Sequence, residues 1–175
     1  RSGPVFIALA DSEAAAASDH ILRSKSEILD SATRTRLLAG SLTPSYIYHR
    51  ALRAKAMLTR QFNEALNDVD ILVSPTQPTA APLIQTSEKV FDSAEDVANR
   101  LHTHRSFCAS FAMAALPAMS VPCGFTAEGL PVGLHLAGRP FEEELLFQVG
   151  YAYQTSTTWN KKVPQLNDIA SVPNQ

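Results

Sequence analysis

The sequence predicts an α/β protein in which helices flank about three short strands, at residues 70–74, 118–123 and 131–137. Three observations carry this expectation. Asp70-Ile71-Leu72-Val73-Ser74 is a short apolar, β-branched run, whose length suits a buried strand better than a helix. The stretch from Leu116 to Phe141 reads as two more apolar strands parted by a Gly- and Pro-punctuated loop. Elsewhere apolar residues recur at spacings of three and four, the period of a helix packed on one side.

Composition narrows the class. A chain of 175 residues with 45% hydrophobic content suits one soluble domain of ordinary size. The formal net charge is -2, and the 15 Lys and Arg residues are spread along the chain, so no basic tract argues for nucleic acid. No apolar run approaches the roughly 18 residues of a membrane span. The start, Arg1-Ser2-Gly3-Pro4, has no initiating Met and lacks the pattern of a signal peptide. The chain is therefore expected to begin inside a longer reading frame. Cys108 and Cys123 do not make a disulfide framework, and a cytoplasmic setting is the default expectation.

Taken in order, residues 5–25 read as a helix opened by Pro4, with Phe6, Ala10, Glu13, Ala17 and Ile21 on one face. Glu13 is the odd member of that stripe. Its ordinary reading is a carboxylate reaching solvent at the edge of the face. The sharper one is a buried acceptor for a neighbouring loop, which would need partners. Residues 31–40 suggest a short helix with Gly40 as its C-terminal cap. Thr43 is placed to cap the next helix, and Pro44 suits its first position. Ile47, Ala51, Ala54, Leu58, Phe62 and Ala65 form its apolar stripe, while Arg50, Arg53, Lys55 and Arg60 mostly form its solvated side.

Asn67-Asp68 closes that helix ahead of the first strand. Residues 75–82 carry three prolines, which remove donors and fix φ, so an ordered extended loop is expected there. A loop at the end of a buried strand is where an α/β protein usually builds a pocket wall. Ser93 and Asp96 form a capping box for a helix from about Ala94 towards Ala115. Val97, Leu101, Cys108, Ala112 and Ala115 face inward on it, with His104 and Arg105 on or beside that face. The two later strands, joined through Gly124 and Gly129, should pair antiparallel, because about seven residues connect them. Glu142, Glu143 and Glu144 then open a last helix, where negative charge suits the N-terminus. Leu145, Leu146, Val149 and Tyr153 provide its core side. Residues 1–165 are expected to form the domain and 166–175 a loosely held tail.

Nucleophilic catalysis needs a nucleophile, a base and an oxyanion site, and the sequence shows no motif that supplies them. It has no G-x-S-x-G elbow and no Ser-Ser pair, and none of its serines lies in a Gly-rich turn. His102 and His104 near Cys108 suggest a Cys–His couple, but a Cys in an apolar stripe is more often a small inert hydrophobe. His-x-His on a helix points its rings roughly 200° apart, and no acidic cluster lies nearby, so no metal is expected. No Gly-rich phosphate loop is present and no cofactor is expected. Cys123, at a strand end, reads as structural.

Three motifs in order carry a family resemblance: V-D-I-L-V-S-P-T-Q-P-T-A-A-P at 69–82, an Arg-containing helix, and L-P-A-M-S-V-P-C-G-F-T-A-E-G-L-P-V-G-L-H-L-A-G-R-P-F-E-E-E-L-L at 116–146. Together with D-S-E-A-A-A around Glu13 and the helix from Tyr46, they resemble the C-terminal part of the amidase signature family, over about residues 5–164. The resemblance implies one α/β/α domain around a large mixed sheet. It also implies hydrolysis of carboxylic amides, or delivery of the released ammonia, as in the A subunit of the tRNA-dependent amidotransferase. The family's Ser nucleophile, bridging Ser and Lys base lie in its N-terminal half, and no residue of this chain matches that segment. No catalytic residue is carried over. This chain has Ala112 and Ala115 where the family often has Asn and Gly, and His135 where it usually has Gln. Arg105 matches the family's specificity-bearing position, acidic in the glutamine-using subunits, so the resemblance implies substrate contact there and a general amidase; the other reading of Arg105 is a pairing with a local acid such as Glu95 or with a C-terminal carbonyl. The expected partners are a small amide substrate and either the N-terminal half of the enzyme or a second copy. The rival reading is a non-catalytic binding or assembly module on the same scaffold.

Overall fold

The computed structural model describes residues 2–82 and 107–163. The chain opens with α1 (Gly3–Ala17) and α2 (Asp19–Ser24), where the sequence predicts one continuous helix. The break is at Ser18, whose N–H is shared between the carbonyls of Ala14 and Ala15. Helices α3 (Ser31–Ser41) and α4 (Ser45–Ala65) follow, and α1 packs against both. That double contact explains why the predicted stripe is not the buried face. Leu9, Asp11 and Ala15 are buried, whereas Glu13 and Ala17 are exposed. The buried reading of Glu13 therefore fails; its carboxylate accepts a hydrogen bond from Tyr48 Oη at 3.0 Å on the surface.

Gly40 is not the cap of α3. It is buried inside the helix, and a Cβ there would overlap the Asp11 carbonyl, so Gly40 is what lets α3 approach α1. The Asp11 carboxylate also meets Arg36 Nε at 3.4 Å, a second tie between these helices. Asp30 caps α3 by accepting from the Thr33 amide at 3.0 Å. Thr43 does not cap α4, because the helix starts one residue later with Pro44 itself at the N-cap position. The α4 stripe is only partly covered: Ala51 is buried, Ile47, Ala54, Leu58 and Phe62 are half-buried, and Ala65 is exposed.

Strands β1 (Leu72–Pro75), β2 (Ala118–Phe125) and β3 (Pro131–Ala137) form one antiparallel sheet in the order β1-β3-β2. The first strand is shifted from the predicted 70–74 and takes in Pro75, which an edge position tolerates because its missing N–H faces away from the ladder. The second runs two residues further than predicted, through a bulge between Pro122 and Gly124. Gly129 has φ +81 in the connecting turn, the conformation that favours glycine.

The pleat sorts the sheet's side chains onto two faces. On one, Leu72 and Ala137 pack with Leu66, Phe111, Ala114 and Leu116, from the end of α4 and the segment around α5 (Cys108–Met113). On the other, Val121, Leu134 and Leu136 pack with Leu146, Val149 and Tyr153 of α6 (Glu143–Ser156), much as predicted. The sheet is thus a middle layer between helices. Among the described residues, no helix is long and apolar enough to cross a membrane.

The predicted helix from Ala94 falls mostly outside the described residues, including Ser93, Asp96, His102, His104 and Arg105. Its described end, α5, stops at Met113. Ala115 then takes φ +56, with its N–H on the Ala112 carbonyl and the Leu116 N–H on Phe111. This is a Schellman cap, built with Ala at the position that usually carries Gly. Residues 166–175 also lie outside the described residues.

Candidate functional site

Pro75, expected in an irregular loop, instead ends β1, and the loop that follows it lines a pocket of roughly 800 Å³ with Ser120, Pro122 and residues 131–133. Its floor follows from the register. Gly133 on the central strand has Pro122 opposite on β2, and its carbonyl accepts the Thr76 N–H at 2.9 Å just beyond β1. With no side chain at Gly133, the hydroxyls of Thr76 and Ser120 meet across the middle strand at 2.6 Å. A Cβ on Gly133 would lie 2.6 Å from both oxygens. Cys108 Sγ donates to the Thr76 carbonyl at 3.1 Å and pins the start of the loop to α5. Cys108 is therefore structural, although the stripe expected for its helix is not the buried face: Ala112 and Ala115 are exposed, while Ala109, Phe111 and Met113 are buried. Cys123 is a free, half-buried thiol.

His135 lies beneath the same face, between Ser74 and Ser120 in register. It is 5% exposed, and its ring stacks at a tilt on Phe111 with centroids 4.8 Å apart. Nδ1 has no hydrogen-bond partner among the described residues, and no hydrogen bond joins the ring to either serine. Burial pushes the imidazole pKa down, favouring the neutral ring. The arrangement is a packed histidine, not a base poised on a nucleophile.

The far end of β3 is fixed by Arg139, which sequence reasoning missed. Its guanidinium donates to the Leu66 and Val69 carbonyls, both at 3.0 Å, to Glu142 at 3.2 Å and to Asp70 at 3.3 Å. The bonds to Glu142 and Asp70 raise its already high pKa. One side chain thereby binds the turn before β1 to the start of α6. Among the described residues, no group of His, Cys, Asp or Glu could hold a metal ion. Nothing described in the pocket pairs a nucleophile with a base.

A three-layer α/β arrangement with a proline-rich wall at the end of a strand is the class that the geometry defines. Residues 5–147 match the family model described as Amidase, and the chain belongs to that family. Over 159 residues it is 35% identical to the A subunit of the Glutamyl-tRNA(Gln) amidotransferase of Rippkaea orientalis, covering 88% of this chain and 32% of the relative. A solved structure described as an amidase superposes with a TM-score of 0.69 at 27% identity, covering 86% of this chain and 34% of its own. The A subunit of the Glutamyl-tRNA(Gln) amidotransferase of Thermotoga maritima shares the fold, with a TM-score of 0.60 at 23% identity, over 89% of this chain and 33% of its own. The chain spans about a third of the length of the curated relatives it matches.

Proposed function

We propose that this chain is the C-terminal, sheet-building part of a carboxylic-amide hydrolase and supplies one wall of the acyl pocket. The observation that carries this reading is the family match over residues 5–147, joined to a pocket with hydroxyl groups but no nucleophile–base pair among the described residues. The catalytic Ser, bridging Ser and Lys would come from the N-terminal two-thirds of the enzyme. There the nucleophilic hydroxyl would add to the carbonyl, the C–N bond would break with a proton passing to the leaving amine, and water would release the acid. Arg105, at the position matching the family's specificity site, would contact substrate. The enzyme would work in the cytoplasm, and this chain alone would be silent.

Complementation tests the reading. This chain, co-expressed with the N-terminal two-thirds of a family member, should restore hydrolysis of simple amides, and Arg105→Glu should change which amide is preferred. A stable monomeric chain that neither joins that partner nor restores turnover would instead support the non-catalytic module. A second reading, favoured by the identity of the curated relatives, is one subunit of a Glu-tRNA(Gln) amidotransferase. Glutamine-dependent transfer in place of free hydrolysis would identify it.

A further inference from the structure

We propose that residues 157–162 form a strap that latches the tip of the β2–β3 hairpin, and that unlatching lets the tip turn at the bulge and widen the pocket beside Pro131 and Val132. The strap follows α6 through Thr157, whose backbone is extended and whose hydroxyl donates to the Tyr153 carbonyl at 3.0 Å. It then makes the 3₁₀ turn Trp159–Lys161, which packs against β2. Two contacts fasten it to Phe125 at the end of β2. The half-buried Trp159 ring lies 6.2 Å from the Phe125 ring, tilted by 54°, and Lys162 Nζ stands 4.6 Å from the centre of the same ring.

The register shows what the latch spans. Val121, Leu134 and Leu136 face α6, whereas Phe125 stands directly opposite Pro131 and shares its face, the one that Gly133 leaves open to Thr76 and Ser120. The strap and its Trp159 ring therefore reach from the α6 side of the sheet round to the pocket side. The tip they hold is weakly laddered. The bulge between Pro122 and Gly124 leaves Cys123 without a partner on β3, and Pro131 brings no N–H to its pairing with Phe125. Beyond them the turn is closed by the Thr126 N–H on the Leu130 carbonyl at 2.8 Å. The bulge is thus the hinge, and the strap supplies what the ladder lacks past it. Lys162 is exposed, so its attraction to the Phe125 ring is modest, and a latch this light opens at little cost. Pro131 and Val132 lie past the hinge and line the pocket, so movement of the tip changes its width.

Amide hydrogen exchange in the chain itself, followed by NMR, tests this without reference to turnover. Thr126 reports on the tip and Leu136 on the middle of the sheet. Lys162→Met keeps most of the side chain and loses its charge. Exchange at Thr126 should quicken about two- to five-fold, with Leu136 unchanged and the Val132 amide signal shifted. Trp159→Ala should enlarge both effects, and Trp159→Phe should restore the native values. Exchange at Thr126 that is unchanged in Lys162→Met and in Trp159→Ala overturns the latch. Equal acceleration at Thr126 and Leu136 means that the whole sheet opens together, and overturns the hinge. A Val132 signal that stays in place while Thr126 quickens overturns the link to the pocket. Lys162→Met, at an exposed side chain, carries each of these tests alone if Trp159→Ala does not fold.

Discussion

His135 and Ala115 each hold a state that costs free energy in the fold. The buried imidazole is favoured as the neutral ring, so its folded-state pKa lies below its unfolded value of about 6.5. The stability tied to that neutral ring is complete above pH 6.5 and is lost as pH falls through it towards the folded value. Melting temperatures measured from pH 8 to pH 5 should therefore fall more steeply in the native chain than in His135→Gln. Identical profiles would remove His135 as the cause. Ala115 holds a left-handed backbone that costs an L-residue roughly 1–2 kcal/mol, partly offset because Gly loses more chain entropy on folding. Ala115→Gly should raise stability by about 0.5–1 kcal/mol in urea unfolding, with no change of slope. A loss of stability would mean that the exposed methyl group contributes packing.

At the scale of elements, Gly133 decides whether the pocket floor exists. Gly133→Ala places a methyl group against both hydroxyls, so the Thr76–Ser120 bond must open. Overpacking of this kind costs about 1–3 kcal/mol, readable as a lower urea midpoint. The strands were legible because β-branched runs, Pro131 and the two corner glycines each act locally. The hydroxyl pair was not, because Thr76 and Ser120 are 44 positions apart and meet only through register and a missing side chain. The break at Ser18 and the packing role of Gly40 were hidden for a related reason. Both depend on which helices α1 touches, and an Ala-rich helix shows no single face to predict that. Arg105 could be singled out only by family resemblance, since nothing local distinguishes it from the other arginines.

At the scale of the molecule, most of the buried apolar side chains among the described residues fall into three clusters: around Leu66 and Phe111, around Leu9 and Met113, and around Val121 and Leu136. Each is small, and side chains such as Val73, Phe141, Phe147 and Tyr151 remain largely exposed. A chain spanning a third of its relatives is expected to gain cover from the remainder. Equilibrium sedimentation of this chain with the N-terminal two-thirds of a family member should give a one-to-one complex that is more stable to urea than either part. Two independent species would count against the shared core.

The sheet order carries a consequence for synthesis. Leu72 pairs with Ala137, which follows it some 65 residues later, and among the described residues β1 has no other strand beside it. At translation rates of about 5–20 residues per second, β1 leaves the ribosome ~3–13 s before its partner does. For that interval Leu72 and Val73 are an unpaired hydrophobic edge, and Pro75 is the built-in interruption that limits how far a stray strand could zip along it. Refolding followed by pulsed hydrogen exchange should show the β2–β3 hairpin protected first and β1 later. Protection of β1 ahead of the hairpin would mean that the edge finds shelter elsewhere before the sheet closes.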